Sequence, residues 1–242
     1  MKIIKVDNIT KSFKNHQAIF NTTFTIEKGK IYGFIGPNGA GKTTIIKMIL
    51  GITQPDSGTI EVFNKKDSME INKVLSKIGV VLGPSYYGHL DAFDNMKIVS
   101  NLKGIDIDDE GIRNKLSLVG LPVDKKKKVR DFSMGMKQRL CIAESLLGDP
   151  ELLIWDEPIN GLDPQGVIEI RKLIQTLHKE KNITFLISSH ILSELDKVIS
   201  DVIVISNGEI KFSGSVSNLL EKYRSTELED AYLACLTGGT ND

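Results

Sequence analysis

A run of eight residues constrains the fold of this chain more than any other feature. The run satisfies the pattern G-x-x-x-x-G-K-[ST], and its members are Gly36, Pro37, Asn38, Gly39, Ala40, Gly41, Lys42 and Thr43. The apolar residues 31–35 precede the run and predict a strand, while a helical pattern begins at Thr43 and continues through Thr44. A glycine loop between a strand and a helix is the context that this pattern requires, so we predict a P-loop in an α/β protein.

The glycines of this loop let its backbone approach a phosphate group closely. Without side chains at Gly36, Gly39 and Gly41, the loop can curl until its N–H groups converge on phosphate oxygens at the positive end of a helix. Lys42 can then reach the β- and γ-phosphates of a nucleotide, and the Thr43 hydroxyl is placed to ligate Mg²⁺. A chance match has odds of about one in a hundred, so a plain helix-capping turn is poorly supported.

Apolar β-branched runs alternate with longer helical patterns over much of the chain. The predicted strands are 31–35, 78–82, 152–155, 183–187 and 202–205. The predicted helices are 43–50, 134–147, 164–178 and 192–199. This order favours right-handed crossover units and a mostly parallel sheet.

Two regions depart from the alternation and predict additions to the core. Residues 2–27 favour antiparallel strands joined by the polar turn 14–16, and residues 83–148 favour an inserted α-helical subdomain. We therefore predict a P-loop NTPase core with an antiparallel β layer. Its domains are the core (1–82 and 149–214), the helical insertion (83–148) and a helical tail (215–242).

Composition narrows the possible classes of partner and compartment. The chain of 242 residues carries 31 basic and 31 acidic side chains, so its net charge predicts no binding to nucleic acid. The lysine run 125–128 is assigned to a solvated loop face. Cys141 and Cys235 form no metal-binding spacing, which favours a reducing cytosol. No stretch approaches the roughly 18 uncharged apolar residues that cross a bilayer.

Two adjacent acids follow the apolar run 152–155. Asp156 is a candidate Mg²⁺ ligand, directly or through water, and Glu157 can orient or deprotonate a water that attacks a γ-phosphate. Such a pair is by itself more often a solvated strand end, so both assignments depend on the P-loop. His190 follows the run 183–187 and can contact the γ-phosphate and this water, although a single histidine is more often structural.

In this order the motifs resemble those of the ATP-binding subunits of ABC transporters, over nearly the whole chain. The resemblance implies that Phe13 stacks on adenine, although the residue by itself is equally an ordinary core phenylalanine. Ser133 and Gly135 match the family signature Ser-Gly-Gly-Gln, whereas Met134 and Met136 depart from it. In the family this signature begins a helix whose amino end contacts the ATP held by a partner subunit's P-loop.

The resemblance implies roles for three further positions. Asp163 belongs to the D-loop, residues 161–163, which contacts the opposite subunit, and His190 falls at the switch histidine. Gly83 stands where the family has Gln or Glu, so metal ligation would depend on Thr43, Asp156 and water.

Residues 83–90 and the signature also resemble the branch of bacitracin-resistance and lantibiotic-immunity exporters. The resemblance implies an ATPase that binds ATP and Mg²⁺, pairs with an identical or different ATP-binding subunit, and drives export of a peptide or amphipathic small molecule through transmembrane permease subunits. It would then lie in the cytoplasm, on the inner face of the cell membrane. The alternatives are an ABC ATPase that acts on nucleic acid or the ribosome, and a regulatory module that binds ATP without hydrolysis.

Overall fold

The computed structural model describes residues 1–13, 16–66, 68–122, 127–189 and 192–238. The contacts divide the chain into two compact units, of which unit 1 comprises Met1–Leu75 and Thr184–Asp242 and unit 2 comprises Ser76–Ile183. Unit 2 contains the whole predicted helical insertion, 83–148, together with residues that we predicted in the core. The predicted domain boundaries stay a prediction.

The elements alternate along the chain in the way that the apolar runs predict. The strands are β1 (Lys2–Phe13), β2 (His16–Glu27), β3 (Ile31–Ile35), β4 (Ser57–Val62), β5 (Ile78–Leu82), β6 (Leu152–Asp156), β7 (Thr184–Ser189), β8 (Asp201–Ser206) and β9 (Glu209–Ser215). The α-helices are α1 (Lys42–Ile49), α2 (Ser68–Val74), α3 (Ala92–Leu102), α4 (Asp109–Leu118), α5 (Met134–Ser145), α6 (Pro164–Lys181), α7 (Leu192–Leu195), α8 (Val216–Lys222) and α9 (Leu228–Thr237).

One predicted helix, 192–199, is wrong in its length. The α7 helix ends at Leu195, and in the turn that follows the backbone amides of Val198 and Ile199 both donate to the Leu195 carbonyl. The amide of Ser200 then bonds to Ile31, so the chain has already joined the sheet before Asp201 begins β8.

Unit 1 contains two sheets that differ in strand direction. In the first, β1 lies between β2 and β4, and both pairings are antiparallel. In the second, β3 lies between β7 and β8 and is parallel to both, while β9 pairs antiparallel with β8. Every residue of β3 and β7 is buried, as strands covered on both faces require. The predicted parallel sheet and antiparallel β layer are confirmed.

Unit 2 joins a parallel strand pair to a set of helices. The strands β5 and β6 pair in register from Ile78 with Leu152 to Leu82 with Asp156. The helices α3, α4 and α5 lie within 83–148, and α6 follows β6. Helix α5 lies close to the strands, because a Cβ at Gly79 would collide with the Ser145 carbonyl oxygen. The Trp155 indole nitrogen also donates to the Ser145 hydroxyl over 3.0 Å.

Among the residues that the structure describes, no helix combines the length and the apolar character that crossing a lipid bilayer would need.

Candidate functional site

The glycine-rich loop joins the carboxyl end of β3 to the amino end of α1. Gly36 allows the loop backbone to lie directly against the backbone of Ile205, since a Cβ on Gly36 would collide with the Ile205 carbonyl oxygen. Gly39 and Gly41 have φ angles of 79° and 106°, which L-amino-acid side chains disfavour. Pro37, Asn38 and Gly39 are exposed. The backbone therefore has the curled, accessible form that phosphate binding needs.

Lys42 places its ammonium group within this loop. Its Nζ donates to the Gly36 carbonyl over 2.6 Å and lies 3.3 Å from the Pro37 carbonyl, while only 7% of the residue is exposed. Thr43, at the second position of α1, is exposed, and Thr44 is half-buried. Loop amides, a helix amino end and one cation lie together in unit 1, and this arrangement fits a phosphate group.

Glu157 has an unusual backbone conformation in unit 2. Asp156 is the last residue of β6, and the next residue, Glu157, has a φ angle of 53°. This left-handed region costs a residue other than glycine about 1 kcal/mol or more. The backbone therefore turns out of β6 at Glu157, the residue that we predicted to orient or deprotonate the attacking water. Strain of this kind concentrates at functional sites.

The signature residues begin α5. Ser133 is the amino-terminal cap, and its hydroxyl oxygen accepts a hydrogen bond of 3.2 Å from the Met136 amide. A serine hydroxyl that accepts in this way still has a hydrogen to donate to an anion. Gly135 lies at the same helix end, so this end also fits a phosphate group.

The D-loop lies against the signature within unit 2, a contact that the sequence did not predict. The side chain of Met134 fills the space that a Cβ on Gly161 would need, although 71% of Met134 is exposed. A Cβ on Gly135 would lie 3.4 Å from the Gly161 carbonyl oxygen. Asp163 caps α6, and its carboxylate accepts from the Gly166 amide over 3.1 Å. The two motifs therefore form one contiguous surface.

The remaining predicted positions have different outcomes. Phe13 ends β1 with 48% of its surface exposed, which contradicts the alternative of a core phenylalanine and leaves the ring able to stack. Gly83 is exposed with a φ angle of 78°, so its backbone conformation favours glycine at this position. His190 lies outside the described residues.

The described residues contain no group of three or more His, Cys, Asp or Glu side chains that could hold a metal ion. Thr43 and Asp156 offer a hydroxyl and a carboxylate, the oxygen donors that Mg²⁺ prefers, and Mg²⁺ commonly takes its other ligands from water and substrate phosphates. Each of these two donors, one in unit 1 and one in unit 2, is chemically suited to Mg²⁺.

The sequence profile of ABC transporters matches residues 19–160, more than half of the chain. The chain belongs to the ABC transporter family. It is an ATP-binding subunit of this family and an ABC-type ATPase, so the main interpretation of the sequence is confirmed over its alternatives.

Individual relatives of this ABC ATPase agree with the family. It is 46% identical over 209 residues to the bacitracin transport ATP-binding protein BcrA of Bacillus licheniformis. The aligned residues cover 86% of this chain and 68% of that protein. It is 41% identical over 228 residues to the lantibiotic transport ATP-binding protein SrtF of Streptococcus pyogenes, with 92% and 96% covered. The resemblance to this exporter branch is confirmed.

A solved structure adds evidence on the fold and on hydrolysis. The chain is similar, with a TM-score of 0.79 and 25% identity, to an ATP-binding cassette in a dimeric post-hydrolysis state bound to ADP and Pi. The match covers 88% of this ABC ATPase and 98% of that chain.

Proposed function

We propose that this ABC ATPase hydrolyses Mg²⁺-bound ATP to drive export of a peptide or amphipathic small molecule through separate transmembrane permease subunits. The observation that carries the ATPase part is the loop in which Lys42 lies among backbone carbonyls at the amino end of α1. The cargo part is supported by the relatives whose names state bacitracin and lantibiotic transport.

The residues of unit 1 hold the nucleotide. The loop amides of 36–41 and the Lys42 ammonium bind the phosphates, while the exposed ring of Phe13 stacks on adenine. The hydroxyl of Thr43, at the start of α1 in unit 1, and the carboxylate of Asp156, at the end of β6 in unit 2, would be ligands of Mg²⁺. When bound, this ion neutralises charge on the β- and γ-phosphate oxygens.

The other proposed site residues act on the attacking water and on a second subunit. The Glu157 carboxylate accepts a proton from the water that attacks the γ-phosphate, and His190 orients the same phosphate. Ser133 and Gly135 present the amino end of α5 to the ATP of a second ATP-binding subunit, and Asp163 contacts that subunit. A solved cassette that is dimeric supports such pairing.

The permease would dock on the helical insertion, 83–148, on the inner face of the cell membrane. This proposal is supported by the exposed segment around Tyr87, which is 43% exposed, and by Tyr86, whose ring lies 5.7 Å from the Lys137 ammonium. Zero net charge supports the absence of nucleic acid as a partner.

Phosphate release by the purified chain, with Mg²⁺ and ATP, tests the catalytic part. Glu157→Gln should lower kcat by at least about 100-fold with ATP affinity unchanged, because the amide cannot accept the proton. Glu180→Gln, at an exposed position of α6, is the matched control and should retain full activity. Full phosphate release by Glu157→Gln would refute the assignment.

Purification from solubilised membranes tests the transport part. A permease should copurify with the tagged chain, and cells that lack the chain should become more sensitive to bacitracin or to a lantibiotic. Recovery of nucleic acid or ribosomes in place of a permease would favour the alternative ABC ATPase, and unchanged sensitivity to both peptides would contradict the cargo class.

A further inference from the structure

Arg139 makes a pair of hydrogen bonds that the proposed mechanism does not use. It lies in α5, less than two turns after the Ser133 cap. Its Nη1 donates to the Val119 carbonyl, and its Nη2 donates to the Glu169 Oε2, each over 2.7 Å. Only 14% of the Arg139 side chain is exposed, so these bonds are partly shielded from water.

Two glycines make room for this guanidinium group. A Cβ on Gly120 would lie 2.7 Å from Nη1 of Arg139, and a Cβ on Gly166 would lie 3.1 Å from Nη2. Gly120 also has a φ angle of 71°, which lets the chain turn after α4 and present the Val119 carbonyl. The site is thus shaped for the planar, two-pronged group of an arginine.

The two acceptors belong to different helices. Val119 is the carboxyl-terminal cap of α4, and Glu169 lies in the second turn of α6. The other carboxylate oxygen of Glu169 accepts from Gln165 over 3.0 Å. The hydrogen bonds from Gln165 and Arg139 lower the pKa of Glu169, so its charge is retained at neutral pH.

The amino ends of α5 and α6 are the segments that carry the signature and the D-loop. They already touch where Met134 packs on Gly161 and where Gly135 lies near the Gly161 carbonyl oxygen, and these neighbouring contacts form one point about which two helices can pivot. The Arg139–Glu169 pair adds a second point of attachment further along both helices. Two separated attachments restrict rotation of one helix against the other, because a pivot at one point would break the other.

We propose that Arg139 is a positioning residue that, through Glu169 and Val119, keeps the signature and the D-loop of one subunit in a fixed register for contact with the second subunit. The inference rests on the proposed function of Ser133, Gly135 and Asp163. The guanidinium of Arg139 donates to Val119 and Glu169, so the residue acts through the two helices that carry these acceptors. Its removal therefore affects the step in which two subunits close on ATP and leaves the binding of ATP to the P-loop intact.

Two conservative variants test the register. Arg139→Lys retains the positive charge, but a single ammonium cannot reproduce the two-pronged geometry of the guanidinium. Glu169→Gln retains the shape of the side chain and removes its negative charge. Each should lower kcat about tenfold, since small misplacements of reacting groups have effects of this size or larger. Affinity for ATP should stay within about twofold, and the double variant should lose less than the product of the two single effects.

The control removes a comparable ion pair elsewhere in unit 2. Lys77 and Glu151 lie 2.9 Å apart beside β5 and β6, and Glu151→Gln should leave kcat unchanged. A second measurement adds Arg139→Lys or Glu169→Gln to the hydrolysis-deficient Glu157→Gln chain and follows ATP-dependent dimerisation by light scattering. The ATP concentration for half-maximal dimer should rise about tenfold, an effect that general loss of stability in a still folded chain would not produce.

The outcomes separate this inference from the proposed function. Normal phosphate release by Glu157→Gln would contradict the proposed function, whatever Arg139 does. An inactive Glu157→Gln, together with wild-type kcat and dimerisation for folded Glu169→Gln, would overturn the positioning role alone. If Arg139→Lys fails to fold, Glu169→Gln decides.

Discussion

The ammonium of Lys42 lies 2.6 Å from the carbonyl oxygen of Gly36, within the loop whose glycines bring backbone amides together. The lysine thus approaches the same loop that it follows in sequence, and its charge is buried beside the amino end of α1. A buried cation next to converging amides is a strong local attraction for an anion.

Replacing Lys42 should weaken the binding of ATP itself. A hydrogen bond to a charged group contributes about 1.5–3 kcal/mol, so Lys42→Ala should raise the dissociation constant of ATP by roughly 10- to 100-fold. Equilibrium binding of a fluorescent ATP analogue measures this change. Lys47→Ala, at an exposed position of the same helix, is the control. Unchanged affinity in Lys42→Ala would count against phosphate binding by this loop.

The left-handed backbone of Glu157 predicts a trade between stability and activity. Glycine adopts a φ angle near 53° without steric cost, so Glu157→Gly should raise the free energy of unfolding by about 1 kcal/mol while abolishing phosphate release. Glu157→Gln keeps a side chain and should gain no such stability. Urea denaturation of the three chains measures the differences. A less stable Glu157→Gly would contradict this prediction.

The contact between Met134 and Gly161 predicts a partial rescue. Gly161→Ala introduces a Cβ where the Met134 side chain lies, at a φ angle of 77°, and should destabilise the chain by about 2–3 kcal/mol. Adding Met134→Ala removes the collision and should recover the steric part of this loss, but not the part due to φ. Thermal unfolding of the single and double variants tests the prediction, and strictly additive effects would contradict it.

Glu144 predicts a dependence of stability on pH. Burial raises the pKa of its carboxyl from 4.5 to about 8, although the nearby Lys103 opposes the rise, and its Oε1 has no hydrogen-bond partner. The folded chain therefore keeps a proton that the unfolded chain releases between pH 4.5 and pH 8. The unfolded state binds fewer protons in this window, so the free energy of unfolding falls as pH rises, by up to about 1.4 kcal/mol per pH unit.

Comparison with Glu144→Gln isolates this effect. The amide does not ionise, so the variant should gain stability relative to the natural chain as pH rises from 5 to 8. The neighbouring Cys141 stays neutral in this range, because burial raises the pKa of its thiol from 9.0. Urea denaturation at several pH values measures the difference, and a constant difference would show that Glu144 is not a buried, protonated acid.

Much of the fold could be predicted because its signals are local. The strand–loop–helix at 31–50, the paired acids at the end of β6 and the serine cap of α5 each depend on contiguous residues whose periodicity, glycine content or capping chemistry can be read directly. The predicted length of α7 was wrong. After the turn at Leu195, the Ser200 amide donates to the Ile31 carbonyl of the sheet, and the local pattern of residues does not encode this bond.

The amino-acid sequence by itself determined the phosphate-binding loop, the order of strands and helices, and the candidate acids, since short-range sterics and hydrogen bonding govern all of them. Only the tertiary structure decided that Phe13 is exposed, that Met134 packs on Gly161, that Arg139 joins α5 to α4 and α6, and that Glu144 is buried. These properties depend on which surfaces meet when distant segments pack, and no local pattern of residue types encodes that choice.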